Sequence, residues 1–206
     1  MSSVRLDAPW LEFDLGCEMQ VLSWAVHRPG WVQASRILWR EVRNADLPPE
    51  LDVAEWLGRQ VRARQAEDAV TFLTSRAIDT YNMREAQIGE AHVMALATIG
   101  LSNAERIGAR VDRRHKSWGT INIALRVCLG LTPAAMLEAL SLAVEARTAA
   151  ILDAEVGLPS GHATGTGTDC LAIAAPSGNV AYAGKHTDLG EAIGCAVYGA
   201  VRDGAE

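Results

Sequence analysis

The sequence predicts one α+β domain spanning residues 1–206, with helices packed on a mainly antiparallel sheet. Segments of strand character occur in hairpin groups, and helices separate these groups instead of following each single strand. A doubly wound parallel sheet would need a helical crossover after each strand. The chain is also long enough to bury a substantial core in one domain.

The N-terminal quarter predicts a β-hairpin with strands over 21–26 and 31–42, joined around residues 28–30. It holds five of the six tryptophans, Trp10, Trp24, Trp31, Trp39 and Trp56. Tryptophans on strands usually form core or oligomer contacts. They could instead offer flat apolar faces to a macrocyclic ligand, because aromatic side chains commonly line ligand pockets.

A helix is predicted over 53–64, with Asp52 as N-cap and Glu55 completing a capping box. Its apolar stripe repeats every four residues, at Val53, Leu57 and Val61. The segments predicted to be strands after it are 69–74, 91–100 and 120–129. The charged segment 104–116 is predicted to be an exposed loop.

A long helix is predicted to begin after Thr132, with Pro133 in its first turn and Gly157 at its end. Its expected apolar face comprises Leu137, Leu140, Val144, Ile151 and Leu152. A strand over 170–175 is then expected to turn back into a hairpin partner over 180–183. A last helix follows, capped by Thr187, with its stripe at Leu189, Ile193, Val197 and Val201.

Composition excludes several classes of function. The net charge of −6 argues against a nucleic-acid-binding protein, which would normally carry a basic face. The first ten residues lack a signal-peptide pattern, and no apolar run is long enough to cross a membrane. Four widely spaced cysteines indicate free thiols in a reducing cytoplasm, and the histidine spacing matches no metal site. We therefore expect a cytoplasmic protein without a metal or cofactor.

The densest group of candidate site residues lies in the glycine- and threonine-rich run 161–169. Gly165 and Gly167 allow close backbone approach to a ligand, Thr166 and Thr168 supply hydroxyls, and Asp169 can take a proton. A phosphate loop would lead from a strand into a helix, whereas this run follows a helix and enters a strand. The alternative is a flexible connection in which Asp169 makes only a turn hydrogen bond.

A second group lies at the start of the last helix, where His186 is a candidate general base. Glu191 falls in the first turn and is explained equally well by the helix dipole. Asn103 and Asn122, near strand ends, could polarise a carbonyl or bind substrate amides, although asparagine is also a common turn residue. Together these groups provide a hydroxyl or water nucleophile, a base, a carboxylate and amide donors, which amide cleavage requires.

Several motifs in order resemble the adenosylcobinamide amidohydrolase family. The C-terminal signature is Ala-Thr-Gly-Thr-Gly-Thr-Asp at 163–169, an apolar strand, then Tyr-Ala-Gly-x-His-Thr-x-Leu-Gly-Glu at 182–191. The family's order and approximate spacing are also matched by Gly-Leu-Ser-Asn-Ala (100–104), Gly-Thr-Ile-Asn-Ile (119–123) and Glu-Ala-Arg-Thr-Ala-Ala (145–150). Lys185 and Asp188 depart from the family's form, and His186, Thr187 and Glu191 stay in register.

The resemblance implies a corrinoid salvage enzyme. Such enzymes hydrolyse the amide that joins the corrin ring's propionyl arm to aminopropanol, giving adenosylcobyric acid. Our working hypothesis makes His186 the base, oriented by Asp169 or Glu191, and assigns the oxyanion to the backbone of Gly165 and Gly167. Either Thr166 or Thr168 would attack or position a water, while Asn103, Asn122 and Thr187 would bind substrate. Cys170 is a further candidate nucleophile, although its position at the head of an apolar strand predicts a buried hydrophobe.

Three alternatives stay open at the level of the sequence. The chain could be a non-catalytic corrinoid- or nucleotide-binding module that uses the same loops. It could be a hydrolase that cleaves itself at a Gly-Thr bond, or a structural subunit whose tryptophans form an oligomer interface. Neither the oligomeric state nor the choice between an incomplete corrinoid and a complete cobamide follows from the sequence.

Overall fold

A computed structural model describes residues 2–48, 50–109 and 119–205. The elements of the first half are β1 (Ser3–Asp7), β2 (Trp10–Ser23), β3 (Gly30–Glu41), α1 (Val53–Ala63), β4 (Val70–Thr74), β5 (Asn82–Ile88) and β6 (Ala91–Ile99). Those of the second half are β7 (Ala104–Glu105), β8 (Ile121–Val127), α2 (Pro133–Asp153), β9 (Gly157–Leu158), β10 (Gly161–His162), β11 (Gly165–Thr166), β12 (Cys170–Ala175) and α3 (Asp188–Ala205). Two short 3₁₀ turns lie at Asn44–Asp46 and Ile78–Thr80.

One large sheet organises the fold, with strand order β4-β3-β2-β12-β8-β6-β5 and β1 paired to β2. The pairs β3–β4 and β12–β8 are parallel, and the other neighbours are antiparallel. This mixed but mainly antiparallel sheet, with three helices, confirms the predicted α+β class.

Helices α2 and α3 pack on one face of the sheet, over Ile123, Leu125 and the other apolar side chains of that face. The opposite face encloses a second core that contains Phe13, Trp39 and Phe72. The rings of Trp39 and Phe72 meet edge to face, with centroids 5.1 Å apart. Because both faces are covered, most side chains of β8 and β12 are buried on both sides.

Several predicted elements are confirmed. The hairpin of β2 and β3 forms as expected, although β2 begins at Trp10 and ends at Ser23 instead of spanning 21–26, and β3 is shifted by one residue from 31–42 to 30–41. Asp52 caps α1 by accepting a hydrogen bond from the Glu55 N–H at 3.0 Å. Thr187 caps α3 by accepting from the Gly190 N–H at 3.0 Å. Sequence signals for helix starts were reliable here because they reflect local hydrogen bonds.

The predicted hairpin partner over 180–183 is wrong. Strand β12 lies between β2 and β8, and Val180 instead forms an isolated parallel bridge with Leu131. After β12 the chain passes directly over Gly130. The contact is so close that a Cβ on Gly178 would lie 2.5 Å from the Gly130 backbone. The chain therefore does not turn back alongside β12 after its last residue.

The prediction for α2 is wrong in two details. The helix ends at Asp153, and Glu155, not Gly157, takes the left-handed conformation with φ of 53°. Its buried face consists largely of small side chains such as Ala139 and Ala143, whereas Leu137 is 55% exposed. Small side chains at this face allow α2 to pack closely on β12 and α3.

Strands β1 and β5 were not predicted because they lie at edges and are largely exposed, so they lack an apolar pattern. The predicted loop 104–116 falls partly outside the described residues; its described part contains β7, which pairs with β11. Among the residues that the structure describes, no helix is both long and apolar enough to span a membrane.

Two glycines of α3 provide a matched test of this packing. A Cβ at Gly190 would lie 2.6 Å from the Gly184 carbonyl carbon, whereas one at Gly194 would meet nothing within 4 Å. We expect Gly190→Ala to lower the free energy of unfolding by roughly 1–3 kcal/mol through overpacking. Gly194→Ala should raise it by up to about 1 kcal/mol, because alanine favours a helix. Urea denaturation of both variants measures these values, and equal effects would contradict the close contact at Gly190.

Candidate active site

Three strand ends meet at one edge of the sheet. Ile99, the last residue of β6, pairs with Ile121, the first of β8, and Cys170 at the start of β12 pairs with Asn122. The segments that adjoin these ends carry most of the polar residues singled out in the sequence. The strand pairing thus places the run 161–169 beside the start of β8.

Asp169 is the centre of this edge. Its Oδ1 accepts a hydrogen bond from the Thr166 hydroxyl and another from the Ile121 N–H at 3.2 Å. Its Oδ2 accepts from the Thr166 N–H at 3.0 Å and forms an ion pair with the guanidinium of Arg147, on α2. The carboxylate is thus held by two backbone donors, one hydroxyl and one cation.

The environment of Asp169 perturbs its acidity. The side chain is only 7% exposed, and burial raises the pKa of the carboxyl because the charged form loses hydration. The positive charge of Arg147 and the hydrogen bonds from Thr166 act in the opposite direction and lower that pKa. The result is a pKa above the ordinary value of an aspartic acid, which makes Asp169 a stronger base when ionised.

Gly165 leaves room for this ion pair. A Cβ at that position would lie 2.5 Å from Asp169 Oδ2 and would overlap the guanidinium of Arg147. Glycine is therefore required here for packing. This explains Gly165 without a role in binding an oxyanion, the role that the sequence had suggested.

The hydroxyl of Thr168 is engaged with the protein. It lies 2.7 Å from the carbonyl oxygen of Gly119, to which it donates, and it accepts from Asn103 Nδ2 at 3.3 Å. Asn103 is 4% exposed, and its buried Oδ1 has no hydrogen-bond partner within the part of the chain that is described. A buried acceptor without a partner is costly, so Asn103 Oδ1 would gain from a donor supplied by a ligand.

Asn122 has a structural role. Its Nδ2 donates to the Leu73 carbonyl at 2.6 Å, and its Oδ1 lies 3.1 Å from the Thr120 hydroxyl. That hydroxyl also lies 2.7 Å from the Thr168 carbonyl and can donate its one proton to either oxygen. Asn122 is fully buried, with both ends of its amide in contact with the protein. It therefore joins β8 to β4, and its buried amide is not exposed to a substrate.

Two further side chains border the site. Trp24, directly after β2, donates from Nε1 to the Asp169 carbonyl oxygen at 2.6 Å. The Cys170 thiol donates to the Trp24 carbonyl at 3.6 Å. Burial, followed by the nearby charge of Asp169, raises the pKa of Cys170 to about 11. A thiol with this pKa is a poor nucleophile near neutral pH.

We expect Cys170 to resist alkylation in the folded protein. A pKa of about 11 instead of 9.0 reduces its thiolate fraction near neutral pH about a hundredfold. Cys17 and Cys195 are exposed and serve as internal controls. Peptide mapping after brief iodoacetamide treatment should find both controls labelled and Cys170 unlabelled until the protein is denatured. Labelling of Cys170 at the rate of Cys17 would contradict this.

The other predicted group lies at the opposite edge of the sheet. Asp188, the first residue of α3, adjoins Gly89 in the β5–β6 turn, whereas Gly204 near the helix end adjoins Ile99. Helix α3 therefore runs the length of β6, and His186 is separated from Asp169 by about 20 Å along the strands. The structure does not bring these two residues together.

The residues at the start of α3 have their own surroundings. His186 is exposed, and its ring makes no hydrogen bond within the described residues. The Thr187 hydroxyl is used in the helix cap, since it donates to the Gly184 carbonyl and accepts from Gly190. Glu191 is exposed and lines a groove of about 510 Å³ between α2 and α3, whose wall also includes Leu142 and Cys195.

The structure thus divides the predicted site residues into two groups at opposite ends of the strands. His186, Thr187 and Glu191 lie at the start of α3. The others lie together near Asp169, and they are Asn103, Asn122, Gly165, Thr166, Gly167, Thr168 and Asp169 itself. The sequence analysis assigned no site role to Arg147, although it lies in the matched motif 145–150, and it considered Trp24 only among five tryptophans that could face a macrocyclic ligand. Arg147 is the one arginine in the mainly apolar segment 139–151, and this lone positive charge could have indicated a buried ion pair. Among the residues that the structure describes, no group of three histidine, cysteine or acidic side chains is placed to hold a metal ion.

Comparisons with known proteins identify relatives of the chain. The model of the adenosylcobinamide amidohydrolase (CbiZ) family matches residues 2–206. An uncharacterized protein from Methanocaldococcus jannaschii is 31% identical over 153 residues, which are 64% of this chain and 60% of that protein. An adenosylcobinamide amidohydrolase from Halobacterium salinarum is 33% identical over 144 residues, 66% of this chain and 58% of that protein. The match therefore spans about 60% of the length of these two relatives.

Proposed function

Because the chain belongs to the adenosylcobinamide amidohydrolase family, we propose that it hydrolyses the amide between the corrin ring's propionyl arm and aminopropanol in adenosylcobinamide. The products would be adenosylcobyric acid and aminopropanol, and the reaction would serve corrinoid salvage. A complete cobamide carries the same amide and is the natural second substrate to assay. The family match and the name of the Halobacterium relative support the substrate class.

One observation supports the placing of the reaction at the Asp169 edge. The Thr166 hydroxyl donates directly to the Asp169 carboxylate, a buried base held by Arg147. A hydroxyl that donates to a carboxylate can lose its proton as it attacks a carbonyl carbon. Thr168 is less suited to attack because its proton is engaged by the Gly119 carbonyl. We therefore assign Thr166 as the nucleophile and Asp169 as the general base.

The reaction then has two stages. The Thr166 oxygen attacks the amide carbon, and its proton passes to Asp169. The carbon–nitrogen bond breaks as Asp169 returns that proton to the leaving amine, which releases aminopropanol and leaves the corrinoid acyl group as an ester on Thr166. A water that gives its proton to Asp169 then attacks the ester, and the proton returns to the Thr166 oxygen as the acid is released.

Two neighbouring groups would stabilise and orient the substrate. Gly167 is exposed directly after Thr166, and we assign its backbone N–H to the developing oxyanion. The unpartnered Asn103 Oδ1 is the acceptor for an N–H of the substrate. Removing one oxyanion donor typically lowers kcat by about a hundred- to a thousandfold, so the geometry of this loop matters.

Incubation of the purified protein with adenosylcobinamide, with and without a chelator, tests the proposal. Chromatography and mass spectrometry should find adenosylcobyric acid and aminopropanol in both samples. Product that disappears with the chelator would keep the reaction and overturn the expectation that no metal takes part. The proposal fails if neither adenosylcobinamide nor a complete cobamide gives product while circular dichroism shows folded protein. Saturable corrinoid binding in that case would favour a binding module.

A further inference from the structure

We propose that Trp24, together with Trp31, contacts the corrin ring of the substrate and positions its amide arm at Thr166. This inference rests on the proposed function, because it takes the corrinoid as the ligand. It assigns a binding role to two side chains of the β2–β3 hairpin, which lies beside the candidate site and not within it.

The first argument is the attachment of Trp24 to the site. Its Nε1 donates to the backbone carbonyl of Asp169 at 2.6 Å, so the indole is held against the main chain of the proposed base. The side chain nevertheless remains exposed, with 41% of its surface accessible. A tryptophan in the core would normally be covered on both faces. Trp24 is therefore held in one orientation with part of its ring available to a ligand.

The second argument is the position of Trp31. It pairs with Leu22 across β2 and β3, and paired residues project to the same face of a sheet. Leu22 belongs to the core on the helix side, so Trp31 also projects there, beside the end of β2 from which Trp24 follows. Trp31 is 46% exposed, whereas Trp10 and Trp39, elsewhere on the same two strands, are buried. Among the tryptophans that the structure describes, the two exposed ones thus lie at the site end of the hairpin.

The chemistry of the substrate matches this surface. A corrin is a broad conjugated ring, and a flat indole can cover apolar area on it at little cost in conformational entropy. Only two methylene groups separate the ring from the carbonyl of its propionyl arm, so the ring must lie close to the reacting atoms. Trp24 satisfies this requirement because its indole N–H donates to the Asp169 backbone carbonyl, and the carboxylate of the same residue accepts from the Thr166 hydroxyl.

Binding and kinetics of tryptophan variants test the proposal. Equilibrium dialysis with adenosylcobyric acid, which keeps the ring and is not consumed, gives Kd, and turnover of adenosylcobinamide gives KM and kcat. We expect Trp24→Leu and Trp31→Leu each to raise Kd and KM about tenfold. Trp24→Phe keeps an aromatic face without the N–H and should stay within about threefold in Kd. Tyr182→Leu, at a 73% exposed aromatic residue close to the start of α3, should have no effect.

The outcomes separate this inference from the proposed function. If the wild-type protein neither binds nor hydrolyses a corrinoid, the proposed function fails. If it does both and Trp24→Leu binds as tightly as Tyr182→Leu, the tryptophan inference alone is wrong. Equal loss in Trp24→Phe and Trp24→Leu would assign the effect to the hydrogen bond and overturn the ring contact. Thermal melting of each variant checks that it is folded.

Discussion

Thr166→Val is expected to lower kcat for adenosylcobinamide about a thousandfold or more, whereas Thr166→Ser should stay within about tenfold of the wild type. Valine has nearly the shape of threonine but lacks the hydroxyl that donates to Asp169. Serine keeps that hydroxyl. The comparison therefore isolates the oxygen that the proposed mechanism uses as nucleophile from the packing of the loop.

Thr168→Val is the matched control, because the Thr168 hydroxyl is already engaged with Gly119 and Asn103. We expect it to cost less activity than Thr166→Val. Single-turnover assays followed by acid quenching should also reveal a corrinoid ester on the peptide that contains Thr166. A Thr166→Val enzyme with normal kcat would show that this hydroxyl does not attack, and a greater loss in Thr168→Val would transfer the role to Thr168.

Arg147→Met is expected to destabilise the fold by roughly 3–5 kcal/mol, because it leaves a buried carboxylate without its cation. It should also change the pH dependence of catalysis. Arg147 lowers the pKa of Asp169, so its loss raises that pKa further. A general base must be ionised to accept a proton, and the acid limb of kcat/KM should therefore move to higher pH.

Arg147→Lys keeps the positive charge and should leave the acid limb closer to its wild-type position, although it loses the planar guanidinium that faces Asp169. Urea denaturation gives the stability of both variants, and kcat/KM measured across the acid range gives the limb. If Arg147→Met is folded and active with an unmoved acid limb, Asp169 is not the group whose ionisation controls the reaction.

Much of the fold was predictable because its helices show a local periodicity of apolar residues and local capping signals. The stripe of α3 at Leu189, Ile193, Val197 and Val201 is buried as expected, and Asp52 and Thr187 cap their helices. The edge strands β1 and β5 carry no such periodicity, since neither face of an exposed strand must be apolar. The mixed pairing of β12 depends on distant segments and has no local signal.

The expected closeness of His186 and Asp169 depended on the predicted hairpin. A hairpin return over 180–183 would have carried the chain back along β12 and placed His186 beside Asp169. After β12 the chain instead passes close to Gly130 at Gly178 and enters α3 at the end of the sheet opposite Asp169. The length of β12 therefore separates the run 161–169 from the segment 182–191. Thr166, Thr168 and Asp169 were expected to lie together because they share one short run of sequence, and the structure places them close to one another. The contact with Arg147 requires knowledge of how α2 packs, which the sequence alone does not provide.

The most direct test of the central claim compares Asp169→Asn with His186→Ala in one assay of adenosylcobinamide hydrolysis. The proposed site predicts that Asp169→Asn loses about a hundred- to ten-thousandfold in kcat, as expected for a general base. It predicts that His186→Ala, altered at an exposed ring at the other edge of the sheet, stays within about threefold of the wild type. The reverse result, an active Asp169→Asn and an inactive but folded His186→Ala, would contradict the account and move the catalytic centre to the start of α3.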